Sequence, residues 1–270
     1  METRFVNLAA AEVAVLQQHD RVVDEVRRRT AAAGPISFPW LRNRFGSQNG
    51  MWDQLGRGKA VLGSADHLDQ YLHSYGPMIA SQWGKLAPFL NVDDVAFRLV
   101  DHGCGQGLAG LLLADHLGSA WLASARSILL VEPSAPALVR AEAIYRGLAP
   151  HCPITCIRKS FDELTHDDLA PDDAIETIHL FSNVLDIDGF DHVELFRKLL
   201  FVGRHNVLAV SHDRDHDGGS SRILELKAAV EDPKMKQWLS VGFSEVDQFT
   251  CNDGKSDAIA WFLQMDVSDG

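Results

Sequence analysis

A chain of 270 residues with 46% hydrophobic and 23% charged side chains has the make-up of an ordinary globular protein, long enough for one decorated domain or a domain plus a cap. Its formal net charge of minus 12 sits almost wholly in residues 91–270, which hold 15 basic against 29 acidic side chains, while residues 1–90 hold 10 against 8. Such an acidic body is a poor match to a phosphate backbone, and no apolar run approaches the roughly 20 residues that cross a bilayer. The N-terminus lacks the basic-then-apolar order of a signal peptide, so a cytoplasmic protein is expected. Four cysteines are too sparse for a disulfide framework, and Cys152-x-x-x-Cys156 has no second pair to complete a zinc site.

In chain order, residues 9–30 place Val15, Leu16, His19, Val22, Val23 and Val26 on one face with no internal Gly or Pro, which predicts a helix. Gly34, Pro35 and Pro39 break it. A second helical stretch covers residues 64–83, with Ser64 and His67 forming an imperfect cap and Gly76-Pro77 kinking or dividing it. Tyr71 and Tyr75, four apart, share a face there, alongside His73 and Gln82. Between these helices Arg27, Arg28, Arg29, Arg42, Arg44, Arg57 and Lys59 interleave with Trp40, Phe45 and Trp52. They read either as a solvated helix face followed by packed aromatics or as a surface for an anionic partner.

The most telling stretch is Leu99-Val100-Asp101-His102-Gly103-Cys104-Gly105-Gln106-Gly107-Leu108, an apolar run that ends on an acid and alternating glycines and leads into a helical pattern to Leu117. Strand, glycine turn and helix together make a nucleotide-binding device, because the bare backbone approaches a ligand where any Cβ would collide. Gly105, Gly107 and Gly110 also satisfy the dinucleotide spacing. Asp101 argues against that reading, since a carboxylate repels a pyrophosphate and attracts a sulfonium or ammonium. The next apolar run, 127–131, again closes on an acid, Glu132.

From Phe97 onward the chain resembles the class I S-adenosylmethionine-dependent methyltransferases. The resemblance implies that Asp101, Gly103, Gly105 and Gly107 contact the methionine part of S-adenosyl-L-methionine, with Cys104 a small side chain inside the turn, and that Glu132 holds the ribose hydroxyls. It implies a third strand over 154–159 leading to Ser160 and Phe161 beside the adenine, although many relatives carry an aspartate where Ser160 stands and Asp162 follows close by. A fourth strand, 177–181, ends in Ser182 and Asn183, whose tip would face the transferable methyl. Residues 118–126 look like an insertion, and the Asn/Asp-Pro-Pro-aromatic tetrapeptide of amino-group nucleic-acid methyltransferases is absent.

A strand over 206–211, a helix over 222–239 and strands over 245–251 and 258–265 complete the pattern. The expected fold is α/β: a Rossmann-like doubly wound sheet of about seven strands with an antiparallel last strand, plus a helical N-terminal extension. Residues 1–92 would form a cap for substrate recognition and 93–270 the cofactor-binding domain.

The expected reaction is in-line methyl transfer to a small-molecule or peptide acceptor, with Tyr75 orienting a ligand and His212 or His179 as general base. A second reading methylates RNA or a protein partner through the basic N-terminal block, and a third keeps the cofactor as a non-catalytic scaffold. The run His212-Asp213-Arg214-Asp215-His216-Asp217 invites a metal hypothesis, but so many ligands in six positions cannot converge on one ion, and no metal is expected.

Overall fold

The computed structural model describes residues 3–91, 95–171, 175–213, 219–252 and 254–268. Its strands are β1 (Thr3–Val6), β2 (Phe97–His102), β3 (Ala125–Val131), β4 (Ile154–Ile157), β5 (Glu176–Ser182), β6 (Gly203–His212), β7 (Leu239–Thr250) and β8 (Asp257–Val267). They form one sheet in the order β1-β4-β3-β2-β5-β6-β8-β7. Pairing is parallel from β1 through β6, and β8 runs antiparallel between β6 and β7. This is the expected doubly wound sheet with its inserted antiparallel strand, and it carries one strand more than the sequence pattern predicts.

The additional strand is β1, which pairs with β4 at the sheet edge in the register Thr3↔Ile154 to Val6↔Ile157. The N-terminal segment therefore contributes to the sheet as well as covering it. Its helices are α1 (Ala10–His19), α2 (Arg21–Ala31), α3 (Phe38–Phe45), α4 (Ala65–Ser74) and α5 (Gly76–Leu86). The single helix expected over 9–30 is two, because the Asp20 side chain accepts from the Val22 amide and caps α2. Gly76-Pro77 divides the second stretch at Tyr75, and Ser64 caps α4 through the His67 amide, as the spacing implies.

The remaining helices are α6 (Leu108–Leu117), α7 (Ala135–Leu148), α8 (His166–Leu169), α9 (His192–Lys198) and α10 (Gly219–Glu231). α10 stops well before the expected residue 239, since the residue before Pro233 is steered out of helical backbone and a short 3-10 turn follows over Pro233–Gln237. Residues 119–124 form another 3-10 turn whose Trp121 stacks on Phe97 with ring centroids 5.8 Å apart.

Alternate strand residues feed two cores. Leu99, Ile128, Leu130, Ile178, Leu180 and Leu208 pack beneath α6, α7 and the N-terminal helices, while Val100, Leu129, Val131, Phe181, Val207 and Ala209 pack against α9 and α10. β2 is buried at every position, as a central parallel strand covered on both faces must be. Leu41, Phe45 and Trp83 of the N-terminal helices belong to the same continuous core as the sheet residues. Among the described residues, no helix is long and apolar enough to cross a membrane.

Candidate active site

The carboxyl ends of the parallel strands meet at the turn after β2. Gly103, Gly105 and Gly107 all take positive φ, at 61°, 51° and 82°. The turn closes through Gly107 N–H donating to the Cys104 carbonyl at 2.8 Å and is tied to β3 by Cys104 N–H donating to the Val131 carbonyl at 3.0 Å. A Cβ on Gly103 would lie 2.6 Å from Val184 Cγ1, so that position admits only glycine, whereas one on Gly105 would meet nothing within 4 Å and would project into open space.

That space is a cavity of roughly 310 Å³, within the range of small-ligand sites. Gly103, Cys104, Gly105, Glu132, Ser160, Phe161, Ser182 and Asn183 all line it, so eight of the expected cofactor-binding positions converge. Asp101 and Gly107 stand behind the wall. Gly107 caps α6, and Asp101 is wholly buried on the face of β2 that looks toward α7.

The two acids differ in their surroundings. Glu132 accepts from Gly105 N–H at 3.0 Å and from Ser134 N–H at 2.9 Å. Burial pushes its carboxyl up to about 7, with the Ser134 and Gly105 amides pulling the other way. Asp101 accepts from the Tyr145 hydroxyl at 2.7 Å, and its other oxygen is buried with no hydrogen-bond partner among the described residues. Burial likewise raises it to about 7, opposed by the Tyr145 hydrogen bond and reinforced by the Glu132 charge. Gly110 makes that contact possible, because a Cβ there would collide with the Tyr145 ring as it passes α6 to reach Asp101.

The expected catalytic side chains do not reach the cavity wall. Tyr75 packs on Tyr71 with ring centroids 5.1 Å apart, and Tyr71 is the one that lines the cavity. Burial holds the Tyr71 phenol protonated, and the charges of Asp186 and Glu132 act in the same direction. The sequence places both tyrosines on one face, and the bend at Gly76-Pro77 favours Tyr75, whereas it is Tyr71 that borders the cavity.

His179 lies mid-strand in a buried row across three strands, its Nδ1 3.1 Å from His102 Nε2 and its Nε2 3.0 Å from His205 Nδ1. Both of its ring nitrogens are thus occupied, and burial together with the neighbouring imidazoles keeps its pKa well below the usual value. His212 closes β6 and is buried outside the cavity wall. Of the run 212–217 that invites a metal hypothesis, residues 214–217 lie outside the described residues. Among the described residues no group of three His, Cys, Asp or Glu side chains is placed to hold an ion, and Cys104, Cys152, Cys156 and Cys251 are buried and form no disulfide.

Much of the rest of the wall comes from two irregular segments that carry no periodic signal, with Tyr71 of α4 and Ile79 of α5 beside the first. Residues 58–62 of the N-terminal cover form one side, and Ile187, Asp188, Gly189 and Phe190 form the other. The first segment is fastened by the Ser134 hydroxyl donating to the Leu62 carbonyl. The second is held by Arg222, which donates to the carbonyls of Leu185 and Ile187 and to the Asp188 carboxylate at 2.9 Å. Phe161 meets Phe190 edge to face with centroids 4.8 Å apart, and Ser160 donates to Glu163 at 2.7 Å.

No family model and no curated protein matches this chain. Solved structures that it resembles include S-adenosylmethionine-dependent methyltransferases. One, from Leishmania major, shares 15% identity over 78% of this chain and 81% of its own, with a TM-score of 0.46. The plantazolicin methyltransferase BpumL, solved in complex with SAH, shares 10% identity over 90% of this chain and 98% of its own, with a TM-score of 0.49. The mitomycin 7-O-methyltransferase MmcR shares 17% identity over 96% of this chain and 69% of its own, with a TM-score of 0.45.

Proposed function

We propose that the protein is an S-adenosylmethionine-dependent methyltransferase acting on a small-molecule or peptide acceptor. The observation that carries this reading is the pairing of Glu132 with the amide of Gly105, which itself offers no side chain to the cavity that both line. A buried carboxylate with free lone pairs suits vicinal ribose hydroxyls, which donate to it in charge-assisted bonds. Behind the turn, the unpartnered Asp101 oxygen adds a second negative group whose field favours a cation. The residues present therefore fit the cofactor.

In this reading Gly103 and Gly105 seat the methionine portion, Glu132 orients the ribose, and Ser160 and Phe161 border the adenine. Bound there, the cofactor supplies a methyl group on a sulfonium leaving group. Ser182 and Asn183 face the transferred group from the end of β5, and the Tyr71 phenol, kept neutral by burial, offers a hydroxyl to the cofactor or the acceptor. The cover over residues 58–62 and the loop 187–190 exclude water, and alignment is the main source of rate. His179, with both nitrogens occupied, stays outside the proton path.

The small-acceptor reading draws further support from the N-terminal arginines. Arg28 pairs with Asp24 at 2.7 Å and Glu25 at 2.9 Å, Arg44 pairs with Glu25 at 3.1 Å, and Arg21 pairs with Asp69 at 2.8 Å. Arg29 lies over the Trp40 ring and donates to the Pro35 carbonyl. Two of the block's cations, Arg28 and Arg44, are thus paired with acids of the same helix layer, which lowers the charge it offers a phosphate backbone.

Calorimetric titration with S-adenosylmethionine tests the proposal. Wild type is expected to bind, and Glu132→Gln to bind at least about tenfold more weakly, the loss of one charge-assisted bond. Affinity for the cation should also fall as pH drops below about 7, because binding must then expel protons from Glu132 and Asp101. A wild-type protein that takes nicotinamide dinucleotide and ignores S-adenosylmethionine overturns the reading. Binding without methyl transfer to any component of a cell extract would point to the scaffold.

A further inference from the structure

Three consecutive residues of α5 each grip a different point at the carboxyl end of the sheet. Ser81 Oγ accepts from Asn252 N–H at 2.9 Å, and Trp83 Nε1 donates to Ser182 Oγ at 2.9 Å. Between them the Gln82 and Asn183 amides pair reciprocally: Gln82 Nε2 donates to Asn183 Oδ1 at 3.0 Å and Asn183 Nδ2 donates to Gln82 Oε1 at 2.7 Å. Gln82 is 0% exposed. Asn183 holds a φ of 54°, a left-handed backbone that L-residues adopt uncommonly and asparagine chiefly where its side chain is hydrogen-bonded.

That conformation has a consequence next door. Val184 follows directly, and its Cγ1 stands so close over Gly103 that a Cβ there would come within 2.6 Å. The β5 tip and the glycine turn are fitted together without slack, so a relaxation of Asn183 toward ordinary backbone displaces Val184 and opens the seat. The Asn183 amide also donates to the Val210 carbonyl at 2.8 Å, which fixes where the left-handed residue begins but not which way its side chain turns. The partner that sets the side chain is Gln82.

We propose that Gln82 is a positioning residue of the cavity, its buried amide holding Asn183 in the left-handed conformation that closes the β5 tip onto the glycine turn. The proposal rests on the methyltransferase reading only in its choice of ligand. It makes α5, part of the N-terminal cover, an integral support of the cofactor seat.

A double-mutant cycle read by calorimetry with S-adenosylhomocysteine tests it. Gln82→Ala should weaken binding about tenfold. In an Asn183→Gly background the same Gln82→Ala change should alter affinity less than about twofold, because glycine takes positive φ unaided. Merely structural damage from removing Gln82 would persist in both backgrounds. Gln82→Ala binding as wild type does, or a loss undiminished beside Asn183→Gly, overturns the proposal.

Amide hydrogen exchange over residues 182–185 reads the same coupling without ligand. Exchange should rise about tenfold in Gln82→Ala, and unchanged exchange overturns the proposal even if wild type fails to bind the homocysteine compound, an outcome that would count against the methyltransferase reading alone. Should Gln82→Ala not fold, Gln82→Glu keeps the acceptor for Asn183 Nδ2 and loses the donor. It should then weaken binding and raise exchange to a smaller degree, and wild-type values in both overturn the proposal.

Discussion

Asp101, with Glu132, carries the cost of burying acids in the site. Its carboxyl is raised from 3.8 to about 7, so the folded chain holds this proton more tightly than the unfolded chain does. The stabilisation is therefore complete below about pH 4 and is lost as pH rises to about 7, after which the buried charge remains as a standing penalty on the order of a few kcal/mol. Without ligand, Asp101→Asn should melt above wild type at pH 8 and no higher than wild type at pH 4, as a calorimetric scan at the two pH values would show. The same substitution should weaken S-adenosylmethionine more than S-adenosylhomocysteine, since only the former carries the sulfonium charge. Much of this residue's part was open to inspection in the sequence, where an acid ends an apolar run before three glycines. Its partner was not, because Tyr145 lies 44 residues away and reaches Asp101 only through the gap that Gly110 leaves.

Elements with a strong period were readable, and those shaped by distant partners were not. β2, its turn and α6 follow from an apolar run, glycines and aliphatic spacing, and the terminal hairpin follows from alternation around 252–255. β1 has four residues of mixed exposure, too few for a pattern, and exists because β4 offers an open edge. The break at Asp20 carried a signal, an N-cap side chain before valines, that helical spacing alone overrides. The site's loop walls, 58–62 and 187–190, have no period at all. Nor does spacing announce the histidine row across β2, β5 and β6, in which His205 Nε2 donates to the Phe201 carbonyl at 2.7 Å. That terminal bond fixes each proton in turn, leaving all three rings neutral with hydrogen on Nε2 and a bare Nδ1 on His102. Burial, with Arg98 adding to it, lowers His102 to about 3, so the unfolded chain binds more protons below about pH 6.5 and stability falls as pH drops through that value. Nitrogen-15 NMR of labelled histidine should show three Nε2–H tautomers that stay neutral at pH 5; a protonated ring there would contradict the row.

Across the whole molecule, one buried guanidinium joins the cover to the sheet. Arg140 of α7, 0% exposed, donates through Nε to Asp20 at 2.8 Å and through Nη1 to Asp69 at 2.9 Å and to Gln106 in the glycine turn at 3.0 Å. Gln106 in turn donates to the Leu68 carbonyl of α4 at 3.0 Å. Removing the cation takes from Asp20, 5% exposed, the cation that pairs it and leaves Asp69, 2% exposed, with Arg21 alone. Arg140→Met should therefore cost about 3–5 kcal/mol and lower the melting temperature by roughly 6–20 °C, measured by scanning calorimetry. The order of the strands bears on synthesis as well. β6 gains its second neighbour only from residues 257–267, so on the ribosome ten residues of it, including Val207, Leu208, Ala209 and Val210, wait as a bare apolar edge while some forty more residues are added. A nascent chain stalled in that interval is the form of this protein most exposed to aggregation, and the one for which a chaperone would matter most.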